Sequence, residues 1–386
     1  MLGTAIRVGT EAPQAKTIKV YFNPVTTTDQ LQTGMAVCYD TTASAANRYT
    51  YVVKPTLNNV GDFAGVVAPG QKLPVGATEV EIIPWDGTIY RGVQVYTDED
   101  ITSGNVLGVV PGEYVLGKWT VGRPIFQATE AFTGATTGAG LVKGYFGVGN
   151  LSNEELGSKC LRYFNHFAGT GTASATADAT EYAATLLSGT ITQVDDLTLQ
   201  PSSGAAVAAT AAAYGALKLT SSTTSEVCCQ LNGEPFSISA TQSIFFRARV
   251  ALSSVATQSA WFGLSNTDTT PTASLPGDHI GFKVLVASPG LVTFTYNNSG
   301  GTAVTKSTAI TLTNNTFAEF AVLVRMKSTS AVDIHLFANG TEVSSVTETL
   351  ASIPYDESLT VGFGHFDSTS AQSMYVDRVE IYNYVS

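Results

Sequence analysis

Charge is scarce in this sequence. Asp, Glu, Lys and Arg make up 13% of its 386 residues, about half the usual share, and no Lys/Arg cluster occurs anywhere. With 31 acidic against 20 basic residues the formal net charge is −11. That balance argues against nucleic acid or an anionic membrane as partner, since both are held by concentrated positive charge. A solvated acidic surface accounts for it. Cysteine is sparse too: Cys38, Cys160, Cys228 and Cys229 are too few and too scattered for a disulfide framework. None stands in a zinc-binding spacing, so reduced, partly buried thiols are expected. Adjacent Cys228 and Cys229 on a strand point to opposite faces and do not bridge each other. The N-terminal M-L-G-T-A-I-R-V-G-T has no charged leader with a long apolar run, and no stretch of 18 apolar residues follows. Neither a secretory signal nor a membrane span is expected.

Recognisable catalytic spacing is also missing. The Gly-rich stretches lack the G-x-x-x-x-G-K-[ST] context of a phosphate cradle, so no nucleotide site is expected. His166, His279, His335 and His365 are dispersed, and surface or hydrogen-bonded roles are expected for each.

What is present is Gly, Thr, Ser and Ala in abundance and β-branched residues in short runs. At this length two cores are expected, in domains of roughly 150 to 230 residues, and the composition reads as all-β. The clearest local unit is Ala331–Val346. Val332, Ile334 and Leu336 alternate with Asp333, His335 and Phe337 up to Asn339-Gly340, a pair that tolerates the positive φ of a tight hairpin turn. With those two as the loop, Leu336 would face Val343 and Phe337 would face Glu342. Ser345 would then oppose Ile334, so a bulge or strand end is expected near Ser344, with His335 pointing outward.

Residues 1–20 read as an extended arm entering a first strand at Ile18–Phe22. Short units follow at roughly 10- to 15-residue spacing, bounded by Gly, Pro, Asn or Asp. The order is Gly34-Met35-Ala36-Val37, Phe63-Ala64-Gly65-Val66-Val67, Gly92-Val93-Gln94-Val95-Tyr96, Val121-Gly122-Arg123-Pro124-Ile125-Phe126 and Leu141-Val142-Lys143. The glycines mark either bulges and close backbone approaches in a small closing barrel or turns beside its strands. Over about residues 20–148 this order resembles the small β-tulip capsid decoration proteins of tailed bacteriophages, departing from them at Pro124-Ile125. The resemblance implies a barrel-like capsid-binding domain at 21–150, with the major capsid protein as partner and a homotrimer as the state.

Ser152-Asn153-Glu154-Glu155 has capping-box spacing, so 151–165 is read as a linker or short helix. The domain boundary is placed near 155. Residues 169–213 are dominated by small residues, and Ala206–Ala213 is read as loop or edge strand. From Leu217 on, about a dozen strands are expected, enough for two packed sheets across 166–386. On the last strand, Tyr375, Asp377, Val379, Ile381 and Asn383 would share a face, with a bend or strand end at Asp377 whose carboxylate caps backbone donors.

Trp261-Phe262-Gly263-Leu264, Val332–Val343 and Tyr375–Tyr382 resemble the recurring strands of laminin-G-like, concanavalin-type jelly rolls. Retaining glycosidases with that fold need two carboxylates ~5 Å apart, usually in an E-x-D-x-x-E triplet, which is absent here. Asp377 and Glu380 would straddle opposite faces, and Asp195 and Asp196 point apart. The resemblance brings two further candidates. Asp268, Asp278 and Asp367 lie in loops that hold Ca²⁺ in laminin-G-like domains, although Ca²⁺ needs six to eight convergent oxygens. Exposed aromatics such as Trp261, Tyr296 or Phe337 could stack on a sugar, with core packing the stronger expectation for Trp261. No catalytic, metal or cofactor residue is assigned. The expectation is a non-enzymatic virion protein on the outer capsid surface of a tailed phage, stabilising the shell and projecting its jelly roll. The alternative is a glycan-binding adhesion module on the particle, with a host-surface glycan as partner.

Overall fold

The computed structural model describes residues 16–24, 29–74, 78–86, 90–146, 160–165, 184–186, 192–194, 197–201, 207–212, 216–221, 226–231, 233–240, 242–266, 271–272, 275–299, 301–369 and 372–385. The arm before residue 16, the 152–155 capping box, Asp195, Asp196, Asp268 and His166 lie outside them. Contacts divide the chain into two compact units, Met1–Leu156 and Gly157–Val385.

The first unit holds a closed five-stranded barrel of Ile18–Phe22, Tyr51–Val53, Ala36–Tyr39, Phe63–Val67 and Glu79–Pro84, in that order around the ring. Val20, Phe22, Val37, Val52, Val67 and Ile82 fill it. A separate five-stranded sheet follows, in the order Arg91–Thr97, Gly140–Phe146, Pro124–Ala128, Val106–Val109, Leu116–Lys118, around Val95, Leu107, Phe126 and Phe146. Both readings of the glycines hold, at different positions: Gly34, at φ 81°, sits in the turn before Ala36–Tyr39, whereas Gly65 and Gly92 fit the other reading. Gly65 lies within a barrel strand at φ 153°, where a Cβ would stand 2.1 Å from the Ile83 carbonyl oxygen. It is a true close approach. Gly92, at φ 71°, is the extra residue of a bulge, because Val93 pairs with Gly144 and Arg91 with Tyr145. Ile125 is bulged as well, since Pro124 pairs with Gly108 but Phe126 with Leu107. A proline cannot donate to the ladder, and the strand slips beside it.

The second unit is a sandwich of two antiparallel sheets. One runs Ala184–Leu186, Val207–Ala212, Ala216–Thr220, Ser373–Val385, Gln242–Leu252, Ala318–Met326, Ala331–Ala338, Thr341–Thr349. Cys160–Asn165, assigned above to a linker, is a strand of this sheet paired with Ser373–Val385. Val207–Ala212 is an inner strand rather than a loop or edge, bonded on both sides. The other sheet runs Thr192–Val194, Leu197–Pro201, Glu226–Leu231, Ser358–Asp367, Gln258–Ser265, His279–Leu285, Ser288–Asn297, Val304–Thr311. Between the sheets lies a core rich in phenylalanine. Phe262 stacks on Phe282 at 5.4 Å between centroids, and Phe320 sits 5.7 Å from Phe262.

The Asn339-Gly340 turn forms as expected, with φ of 50° and 81°, Ala338 facing Thr341 and Phe337 facing Glu342. Leu336, however, faces Ser344, not Val343. The bulge therefore falls at Val343, one residue earlier than the pattern implied, and brings Val346 opposite Ile334. His335 is buried rather than outward (1% exposed). Its Nδ1–H donates to Glu342 Oε1 at 2.8 Å, and Phe337 stacks on its ring.

A second bulge reorganises the last strand. Arg249 pairs with Arg378 but Val250 with Val376, leaving Asp377 as the extra residue. Met374 and Val376 thus point into the core on one side of it, and Val379 and Ile381 on the other. Tyr375 and Asp377 do not share a face with Val379, because the inserted residue shifts the alternation by one. The Asp377 carboxylate pairs with the Arg249 guanidinium instead of capping backbone. Glu380 pairs with Arg247 and Arg378 on that same outer face, so the two carboxylates do not straddle the strand, and each is held by arginine.

Candidate functional site

Strand pairing brings glycines together on the outer face of the Trp261 sheet. Gln230 pairs with Gly362, Gly362 with Gly263, Gly263 with Gly281, and Gly281 with Thr295. Two residues along, Cys228, Gly364, Trp261, Lys283 and Thr293 form the adjacent row. Side chains on a strand alternate, so Ala260, Phe262 and Leu264 enter the core while Trp261 goes to the outer face. There it is fully buried. A Cβ at Gly362 would stand 3.1 Å from Trp261 Cζ3, and one at Gly364 would stand 3.0 Å from Pro271 Cγ and 3.3 Å from Thr272 Oγ1. The bare glycine backbone is what lets the indole and the Pro271-Thr272 segment lie on the sheet.

A cavity of about 200 Å³ remains beside them, lined by Trp261, Thr272, Lys283, Ala260, Pro271 and Leu275 among others. Trp261 Nε1 and Thr272 Oγ1 are buried without a hydrogen-bond partner among the described residues. Partial burial holds the Lys283 ammonium below its ordinary pKa. Glu226 is the one carboxylate among the described strand residues of this face. It is buried and accepts the Thr272 backbone N–H, which ties down the covering segment. The one acid of this face among the described strand residues is thus engaged in structure.

The residues singled out in the sequence fall elsewhere or differently. Tyr296 is fully buried in the sandwich core with its hydroxyl donating to Glu348 Oε1 at 2.5 Å, and Phe337 is buried, so neither offers a free ring. Asp278 Oδ1 accepts the Ser299 N–H at 2.8 Å. Asp367 accepts from Thr369 N and the Thr257 hydroxyl. Asp367 lies opposite Gln258, whereas Asp278 precedes His279, which faces Ser265. They stand at opposite ends of one strand, ~24 Å apart, and do not converge.

His279 donates Nδ1–H to the Pro276 carbonyl at 2.6 Å and accepts the Thr295 hydroxyl at Nε2. Burial lowers its pKa. His365 donates Nε2–H to the Leu219 carbonyl at 2.9 Å and accepts from Gln258 Nε2 at 3.2 Å. Burial pushes it down to about 4. Cys38, Cys228 and Cys229 are buried and form no disulfide among the described residues. Thr272 and Lys283 were missed by sequence reading. The usable signal was the glycine recurring beside an outward position in W-F-G-L, H-I-G-F-K and V-G-F-G, which marks a sheet face kept bare.

Residues 239–386 match the family model described as the Concanavalin A-like lectin/glucanases superfamily. The C-terminal unit is a concanavalin-like, laminin-G-like jelly roll. No curated protein matches the chain. Similar solved structures include the endo-1,3-beta-glucanase from Streptomyces sioyaensis (12% identity, 59% of this chain and 98% of that one, TM-score 0.34). Peanut lectin (11%, 59% and 99%, TM-score 0.38) and the Emp47p carbohydrate recognition domain (12%, 55% and 100%, TM-score 0.37) are similar to a comparable degree.

Proposed function

We propose that this chain is a non-catalytic structural protein of a tailed-phage virion, attached to the outer capsid surface through its N-terminal unit and displaying the jelly roll. The observation that carries the attachment is an aromatic patch on the barrel. Tyr21 and Tyr49 are 45% and 70% exposed, Tyr21 stacks on Tyr51 at 5.3 Å, and Tyr49 meets Tyr39 edge-on at 5.4 Å. Tyrosine is enriched where protein surfaces dock, and the N-terminal unit carries the strand order that resembles the decoration proteins. The major capsid protein is the partner, and a trimer around a local threefold axis is the state. The test is rebinding of purified protein to stripped capsids, imaged by electron microscopy. The parent should add density at threefold positions, and the Y21S/Y49S double variant should lose most of it. Density at full strength with that variant would sink the patch as the docking face.

A second reading is favoured by the Trp261 cavity: the jelly roll is a glycan-binding module on the particle. Lectins and carbohydrate recognition domains are among the proteins of similar fold. The face combines unmet hydrogen-bonding groups and a cation, with its carboxylate already engaged, which suits binding over hydrolysis. A glycan array probed with the full chain tests it, reproducible retention on any glycan supporting it and uniform absence of retention ending it.

A further inference from the structure

We propose that the cavity beside Trp261 and Lys283 binds a single acidic sugar residue, with its carboxylate received by Lys283 Nζ, Trp261 Nε1 and Thr272 Oγ1. This rests on the reading of the jelly roll as a glycan-binding module and names the class of glycan. The polar lining is biased toward donors. An indole N–H and an ammonium can only donate, and a hydroxyl can do either. Trp261 Nε1 is buried and unmet in a residue that is fully buried, and Thr272 Oγ1 is unmet beside it. A buried donor without an acceptor is costly, so the lining calls for a ligand that brings acceptors. A carboxylate offers about four acceptor sites and a charge to match the ammonium. A neutral sugar's hydroxyls would bring as many donors of their own.

Charge favours the same ligand. The chain carries a net charge of −11, yet Lys283 forms no ion pair among the described residues, and partial burial disfavours its charged form. Glu226, the nearby carboxylate, is turned to the Thr272 backbone N–H. An incoming anion would restore what desolvation removes from Lys283. The remaining walls are apolar, from Pro271, Leu275 and Leu285, and suit the carbon face of a ring. At about 200 Å³ the cavity is below the ~300–1,000 Å³ of drug-sized sites. That size favours one ring over an extended chain.

The experiment is titration calorimetry of the full chain with glucuronic acid, N-acetylneuraminic acid, glucose, N-acetylglucosamine and acetate. At least one acidic sugar should bind saturably and at least tenfold tighter than the neutral sugars and acetate. The two acids distinguish a uronic from a sialic source. K283Q, at a half-buried position, should weaken the acidic sugar roughly tenfold or more and leave neutral sugars unchanged. W261F keeps a ring but removes the N–H, and should weaken it several-fold. Equal affinity for acidic and neutral sugars, or for parent and K283Q, would overturn the carboxylate assignment and leave the glycan-binding reading standing. Acetate binding as tightly as the acidic sugars would overturn the sugar. Absence of binding to every sugar, here and on the array, would overturn both.

Discussion

His365 makes the sandwich sensitive to acid, by an amount that can be worked out in advance. The ring is fully buried, donating to the Leu219 carbonyl and accepting from Gln258. The second contact uses the lone pair that a proton would take. Burial is the dominant cause that brings its pKa from 6.5 to about 4. Above pH 6.5 the ring is neutral in both folded and unfolded chains, and its contribution does not vary. Between 6.5 and 4 only the unfolded chain takes up the proton, so stability falls as pH falls. Below 4 both states are protonated and the loss levels off. The loss from this group is about 2 kcal/mol by pH 5 and about 3 kcal/mol by pH 4. The perturbation is His365→Gln, which can still donate and accept but does not titrate. Urea unfolding followed by tryptophan fluorescence at pH 7.5 and pH 5 gives four stabilities. The variant should start lower at pH 7.5, by about 1–2 kcal/mol for imperfect fit. Between the two pH values it should lose about 2 kcal/mol less than the parent. His279 and the carboxylates titrate in both proteins and cancel in the difference. Parallel losses in parent and variant would refute the argument.

Three further outcomes are expected. Phe262→Ala empties the centre of the aromatic stack and should cost about 3–5 kcal/mol in urea unfolding, whereas a cost below about 1 kcal/mol would contradict the packing. Gly263→Val should destabilise by about 1–3 kcal/mol. Its Cβ would stand 2.5 Å from Gly281 Cα and 2.6 Å from the Ile280 carbonyl oxygen, both backbone, so the strands must move apart; an unchanged thermal midpoint would count against the close approach in the glycine row. Asn339→Ala should cost about 1 kcal/mol in thermal unfolding, because it removes the acceptor for the Glu319 N–H at 3.0 Å and leaves alanine at φ 50°. Asn339→Gly should recover part of that loss, and equal behaviour of the two would exclude the turn's φ as the cause.

How much was legible follows from how local each signal is. The Asn339-Gly340 turn, the pairing of Phe337 with Glu342 and the opposite directions of Cys228 and Cys229 depend on a few neighbouring residues. The sequence reading of them agrees with the structure. The bulges at Val343 and Asp377 were sensed but misplaced or misassigned, because a bulge is settled by the partner strand. Asp377 leaves the ladder where Gln242–Leu252 pairs with it, more than a hundred residues upstream. His335 was read as outward from alternation alone, and alternation says nothing about what covers the second face. The candidate site was the least legible. Trp261 was noticed as an aromatic, but Lys283 and Thr272 draw meaning only from standing beside it.

The sequence by itself determined an all-β chain, a C-terminal concanavalin-like sandwich and the positions of most strands, since period-two alternation and turn residues act over a few bonds. Only the tertiary structure decided that Gly362, Gly263 and Gly281 lie in one row, that Asp377 and Glu380 share a face, and that Asp278 and Asp367 are held apart by the length of a strand. Those are matters of register between segments far apart in the chain. A one-residue slip reverses every face, so the chemistry of the sandwich surface is set by pairing.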